Sequence, residues 1–210
     1  MNKLGDLSCN EFLTELASAA PAPGGGGGAA MAGALAAALA SMVANLTIGK
    51  EKFADREPEV KELLKQAEAE RVRLLQLADD DAAVFNSFMS CYKLPKTTDE
   101  EKAARTAAIR AAAKQAATVP LNIARSSFAV LKLADRLVVA GNPGVITDGA
   151  CSGLLARAAL RCAEYNVRIN LGLTKDEVWN AQAAADLKKL LADAEALETR
   201  LLAVTDKALQ

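Results

Sequence analysis

Asp81 is a carboxylate set among apolar residues. Leu74, Ala78, Asp81, Phe85, Phe88 and Tyr92 are spaced by four, three, four, three and four residues, a rhythm that places all six on one face of a helix. Burial penalises the charged form, so a carboxylate there must be paired or must hold its proton more tightly than a solvated one. Those are the properties of a general acid or base. They also describe an aspartate bonded to a neighbouring helix end or to an arginine, and the spacing leaves the two readings open. Asp79 and Asp80 fall on other faces and read as solvated surface. Asp148 follows Thr147 where a helix begins after "GNPG", a position that suits a cap or a partner for the helix dipole. Lys50 follows Gly49 and reads as a solvated charge at a helix end. The chain has no histidine, so any proton transfer falls to Asp, Glu, Lys, Tyr, Cys or water.

The second unusual feature is "PAPGGGGGAAMAGALAAALASMVAN", five glycines set directly against an alanine-rich run. Gly24, Gly26 and Ala29 match a dinucleotide fingerprint only because glycine is everywhere, and no strand precedes them. No lysine follows at the spacing of a phosphate loop. Two physical readings survive. Gly24, Gly28, Ala32, Ala36 and Ala40 recur every four residues and would make a smooth ridge for close helix packing. The amides of Gly24 to Gly28 would open a helix N-terminus able to hold a carboxylate or a polar ligand edge.

The surrounding chain must position these groups. Its 210 residues, 51% hydrophobic and 24% charged, suffice for one buried core and predict one domain over 1–210. A formal net charge of -1 offers no field for a polyanion, so nucleic acid is not an expected partner. The four cysteines form no CxxC pair, and without histidine they suggest no zinc or other metal site; they read as reduced and mostly buried. The acidic N-terminus lacks the pattern of a signal peptide, and the expected location is the cytoplasm. Leu16 to Gly49 contains no charge over 34 residues, beyond the roughly 20 that cross a bilayer. Its prolines, glycines and alanines favour a buried helix over a membrane span.

Helical periodicity runs throughout, and aromatics are only 4%. The expected fold is all-α, a single-domain bundle of about six or seven helices dimerising through helix packing. The boundaries predicted are 7–20, with Ser8 and Glu11 as a capping box; 26–48, closed by Gly49; 58–91; 98 to Pro120, which should kink or restart the helix; onward to 140; 148–164; and Thr174 to the C-terminus, with Glu177 completing a second capping box.

"PAPGGGGGAAMAGALAAALASMVANLTIGKEKF", "LADDDAAVFNSFMSCYKLPK", "GNPGVITDGACSGLLARAAL" and "NVRINL" together resemble the cyclodeaminase/cyclohydrolase family, which comprises the C-terminal domain of formiminotransferase-cyclodeaminase and stand-alone methenyltetrahydrofolate cyclohydrolases. Where the family usually reads PGGGS, this chain has Gly27 and lacks the hydroxyl. The resemblance implies a helical homodimer acting on a one-carbon derivative of tetrahydrofolate near its subunit interface, with no prosthetic group. Carried over by position, it implies a site lined by Pro23, Gly24, Gly25 and Gly26 with Lys50, Asp81 and Asp148. Asp81 or Asp148 would be the base and Lys50 would stabilise or position the ligand. The anionic folate tail would meet a basic rim, for which Lys50, Lys52, Lys93 and Lys96 are candidates. The length favours a stand-alone enzyme; the expected reaction is that of the cyclohydrolase, with the cyclodeaminase, which the sequence does not separate from it, as the alternative. The rival readings are a non-catalytic dimerisation module, which leaves Asp81 unexplained, and a membrane anchor. A carboxylate-bridged metal bundle is disfavoured because its ExxH element needs histidine.

Overall fold

In the computed structural model, which describes residues 3–210, six α-helices and three 3-10 turns carry the fold, and no strand occurs among the described residues. The first helix, α1 (Cys9–Leu16), opens on the expected capping box: Ser8 Oγ accepts from the Glu11 amide at 3.2 Å while Glu11 takes the Ser8 amide at 2.8 Å. The Ala22–Pro23 peptide is cis, and α2 (Gly24–Asn45) starts on the glycines. Then come α3 (Glu57–Cys91), α4 (Asp99–Ala140), α5 (Ile146–Thr174) and α6 (Glu177–Ala208).

By length and composition α2 could cross a membrane, yet 61% of its most apolar window is buried inside the chain, against α3, α4 and α5. Small residues permit this packing, and the predicted ridge is covered in its second part only. Ala36 and Ala40 are fully buried while Gly24, Gly28 and Ala32 are half-buried, and the covered face also takes in Gly26, Ala30, Gly33 and Ala37. At Gly33 an added Cβ would come within 3.0 Å of Ser127 Oγ and 3.1 Å of Leu74 Cδ2. A close approach decided at one residue cannot be read from a period of four, since several faces of an alanine-rich helix are equally smooth.

Pro120 does not restart a helix: α4 runs through it for 42 residues. Proline has no N–H for the carbonyl four residues back, here that of Ala116. Asn170 from α5 replaces the missing donor, its Nδ2 standing 2.8 Å from the Ala116 oxygen. The predicted last two helices also shift. α5 continues to Thr174, Lys175 takes a left-handed φ of 57°, and Asp176 caps α6 by accepting from the Trp179 amide at 3.0 Å. Asp79 is not simply solvated, because it accepts from the Leu4 amide at 2.6 Å and fastens the first 3-10 turn to α3. Cys9, Cys151 and Cys162 are exposed and Cys91 is half-buried, all unpaired.

The bundle has two ends. At one, the start of α2 meets the middle of α3 and the end of α5. At the other, Asn142 ties the α4–α5 turn to the end of α2, its amide donating to Thr47 Oγ1 at 2.8 Å and its side chain to the Leu46 carbonyl at 3.2 Å. α2 and α5, packed together, each leave large apolar side chains open: Leu35, Met42 and Leu46 on one, Leu154, Tyr165, Ile169 and Leu173 on the other, where Arg161 lies over the Tyr165 ring at 5.8 Å.

Candidate functional site

A cleft of about 170 Å³ opens where α2 begins. Pro21 to Gly26 form its floor; Asp81, Val84, Phe85 and Phe88 of α3 form one wall; Ala116 of α4 and Asn166 and Asn170 of α5 form the other. Phe88 is braced by Tyr92 at a ring separation of 5.3 Å, and Arg105 stacks over Tyr92 at 5.5 Å. The apolar face predicted for α3 thus packs inward at Leu74 and Ala78, then becomes a pocket wall from Asp81 onward.

Asp81 rests on the backbone of α2. A Cβ built on Gly26 would come within 2.6 Å of Asp81 Cγ and clash with both oxygens, so only glycine leaves the carboxylate its place. Desolvation raises its pKa from the ordinary 3.8 to about 6, against the opposing pull of a hydrogen bond from the Gly27 amide. The first-turn amides of Gly24, Gly25 and Gly26 have no intrahelical acceptor, and no side chain caps them. Of the two roles left open for Asp81, an arginine partner is absent among its described neighbours; it has a helix end and a cavity beside it. Gly27 leaves no room for the serine usual in the family without movement, since its Cβ would approach Pro23 Cβ to 2.9 Å.

No lysine or arginine lines the cleft among the described residues, and Asp81 is its one ionisable side chain. Its polar content is otherwise amide. Asn166 donates from Nδ2 to the Cys162 carbonyl at 2.9 Å, and Asn170 donates from Nδ2 to the carbonyls of both Ala116 and Asn166 at 2.8 Å. These two asparagines were not singled out from the sequence. Their four-residue spacing in "NVRINL", together with a proline within a helical run that must leave one carbonyl unmet, was the available signal.

The structure brings together Pro23, Gly24, Gly25, Gly26 and Asp81, and does not bring Lys50, Asp148, Lys93 or Lys96 to them within one chain. Asp148 lies in the first turn of α5, 18 residues from Asn166 and therefore about 27 Å along that helix. Lys50 is exposed just beyond α2, at the same far end as Asp148. Lys93 and Lys96 are exposed in the α3–α4 connection, and Lys52 lies over the Phe53 ring at 5.6 Å.

An all-helical bundle that seats a poised carboxylate on bare glycine backbone, beside two oriented amides, belongs to the class of small-molecule enzymes rather than of structural bundles. The family model for formiminotransferase-cyclodeaminase matches residues 8–189, and the chain belongs to that family. It is 44% identical over 197 residues to a methenyltetrahydrofolate cyclohydrolase of Methylorubrum extorquens, covering 94% of this chain and 95% of that one. It is 33% identical over 184 residues to the formimidoyltransferase-cyclodeaminase of Sus scrofa, covering 88% of this chain and only 34% of that longer protein. Its fold matches a formiminotetrahydrofolate cyclodeaminase of Thermotoga maritima with a TM-score of 0.89 at 29% identity, over 99% of this chain and 100% of that one.

Proposed function

We propose that the chain hydrolyses 5,10-methenyltetrahydrofolate to 10-formyltetrahydrofolate. The observation that carries this reading is the lone carboxylate of Asp81 in a cleft without a cation. The methenyl bridge is an amidinium whose positive charge is shared by N5 and N10, and an uncompensated carboxylate suits that charge. Water adds to the bridging carbon while Asp81 takes its proton. The C–N5 bond of the resulting tetrahedral centre then breaks as the proton passes from Asp81 to N5, and the hydroxyl proton is released as the formyl C=O forms. Carbon keeps its oxidation state, so the reaction calls for no redox cofactor. The glycine amides hold a polar edge of the ligand.

The cyclodeaminase names of the other relatives favour a second reading. There N10 attacks the carbon of the protonated formimino group on N5, Asp81 takes the N10 proton, and the resulting amino group receives it and leaves as ammonia. Both reactions pass through one carbon between two nitrogens.

We propose further that a second copy of the chain completes the site. Asp148 lies about 27 Å along α5 from Asn166 at the cleft, and Lys50 shares its end of the bundle, while α2 and α5 leave large apolar side chains open along their length. A two-fold axis across those side chains sets the far end of one protomer against the glycine end of its partner, joining Lys50 and Asp148 to Asp81. The folate tail then runs toward Lys93 and Lys96 beyond the end of α3.

Loss of the near-ultraviolet absorbance of 5,10-methenyltetrahydrofolate, faster with protein than without, tests the first reading. If a folded protein leaves that rate unchanged but releases ammonia from 5-formiminotetrahydrofolate, the second replaces it.

A further inference from the structure

The geometry points to Asn166 and Asn170 as the recognition pair for the 2-amino-4-oxopyrimidine edge of the ligand's pterin ring, an inference that rests on the folate reading above. Carbonyl oxygens can only accept, so the amide nitrogens must be the ends that face them. Asn170 spends both hydrogens of Nδ2 on the carbonyls of Ala116 and Asn166, and Asn166 spends one on Cys162. No protein donor reaches either Oδ1 among the described residues. The pair therefore offers the cleft two acceptors and one donor, with their orientation held by backbone.

The 2-amino-4-oxopyrimidine edge carries the complementary set: N–H donors at N3 and the 2-amino group, and an acceptor at O4. Asn166 adjoins the glycine floor, since a Cβ on Gly25 would lie 3.7 Å from its Nδ2 and 3.9 Å from its Oδ1, while nothing stands within 4 Å of the Cβ position at Gly24. A flat ring can lie over Gly24, with its polar edge meeting Asn166 beside Gly25. The inserted proline has a use in this arrangement. By leaving the Ala116 carbonyl unmet, Pro120 gives the Asn170 Nδ2 a fixed anchor and leaves its Oδ1 free to accept.

The test compares kcat/KM for 5,10-methenyltetrahydrofolate and for its 2-desamino-2-methyl analogue, which keeps the reacting carbon and loses two donors. The wild-type protein should prefer the amino compound by roughly 10- to 100-fold, the range for an acceptor left without its partner. Asn166→Ala, which leaves the α4–α5 anchor intact, should reduce that preference to about threefold or less, chiefly through KM on the natural compound. A preference unchanged in folded Asn166→Ala overturns the inference while the folate reading stands. A folded wild-type protein that turns over neither compound and releases no ammonia from 5-formiminotetrahydrofolate overturns both.

Discussion

Both carboxylate oxygens of Asp81 lie where a side chain on residue 26 would have to begin, and the Asp81 Cγ stands 2.6 Å from the place a Cβ at Gly26 would take. One residue's chemistry therefore depends on another's having no side chain. Gly26→Ala should displace the carboxylate into the cleft and lower turnover by about a hundredfold or more, as misplacement of a reacting group does. The α2 helix itself should persist, since alanine favours helix over glycine. Steady-state kinetics beside far-ultraviolet circular dichroism distinguish loss of the site from loss of the fold.

Asp81→Asn should abolish turnover and yet stabilise the protein at neutral pH. Asp81 holds its proton more tightly folded, at about 6, than its ordinary 3.8, so ionisation opposes folding. The stability of the neutral form is complete below 3.8 and is lost as pH rises through about 6. The ionised group then costs on the order of 3 kcal/mol. Thermal melts should show Asp81→Asn above wild type at pH 8, with the gap closing as pH falls toward 4. The same group should give kcat/KM an acid limb near its folded pKa, rising with pH as the base ionises. A melting gap that widens on acidification would contradict the burial argument.

Asn170 and Pro120 should be energetically coupled. Asn170→Ala leaves the Ala116 carbonyl without a donor and should cost about 1–3 kcal/mol. In a Pro120→Ala background the backbone amide returns to that carbonyl, so the same Asn170→Ala change should cost markedly less. Urea denaturation of the four proteins in the cycle measures the coupling. Additive effects would mean that the two residues act independently.

Subunit mixing tests the shared site. Asp81→Asn and Asp148→Asn homodimers should each be nearly inactive. After denaturation and refolding together in equal amounts, half the dimers carry one wild-type site, and activity should return to roughly a quarter of wild type. Leu35→Glu or Ile169→Glu, each placing a charge at an exposed apolar residue, should shift the protein to monomer in sedimentation experiments and remove activity. A fully active monomer, or a mixture that stays silent, would rule out completion of the site by a partner.

What the sequence determined by itself was local or periodic in character. The 3.6-residue rhythm of α3 placed Asp81 on the apolar face, Ser8 and Glu11 specified the start of α1, and the glycine run marked a helix mouth, because each depends on residues within a few turns. Tertiary structure decided what depends on neighbours distant in sequence. It set Asp81 against Gly26 across 55 residues, let Asn170 keep α4 continuous through Pro120, and brought Gly33 close to Ser127 and Leu74, a contact that the four-residue period does not name. It also placed Lys50 and Asp148 at the far end of the bundle. A helix rises about 1.5 Å per residue, so groups that one motif gathers in sequence are separated in space by the length of the helices that carry them.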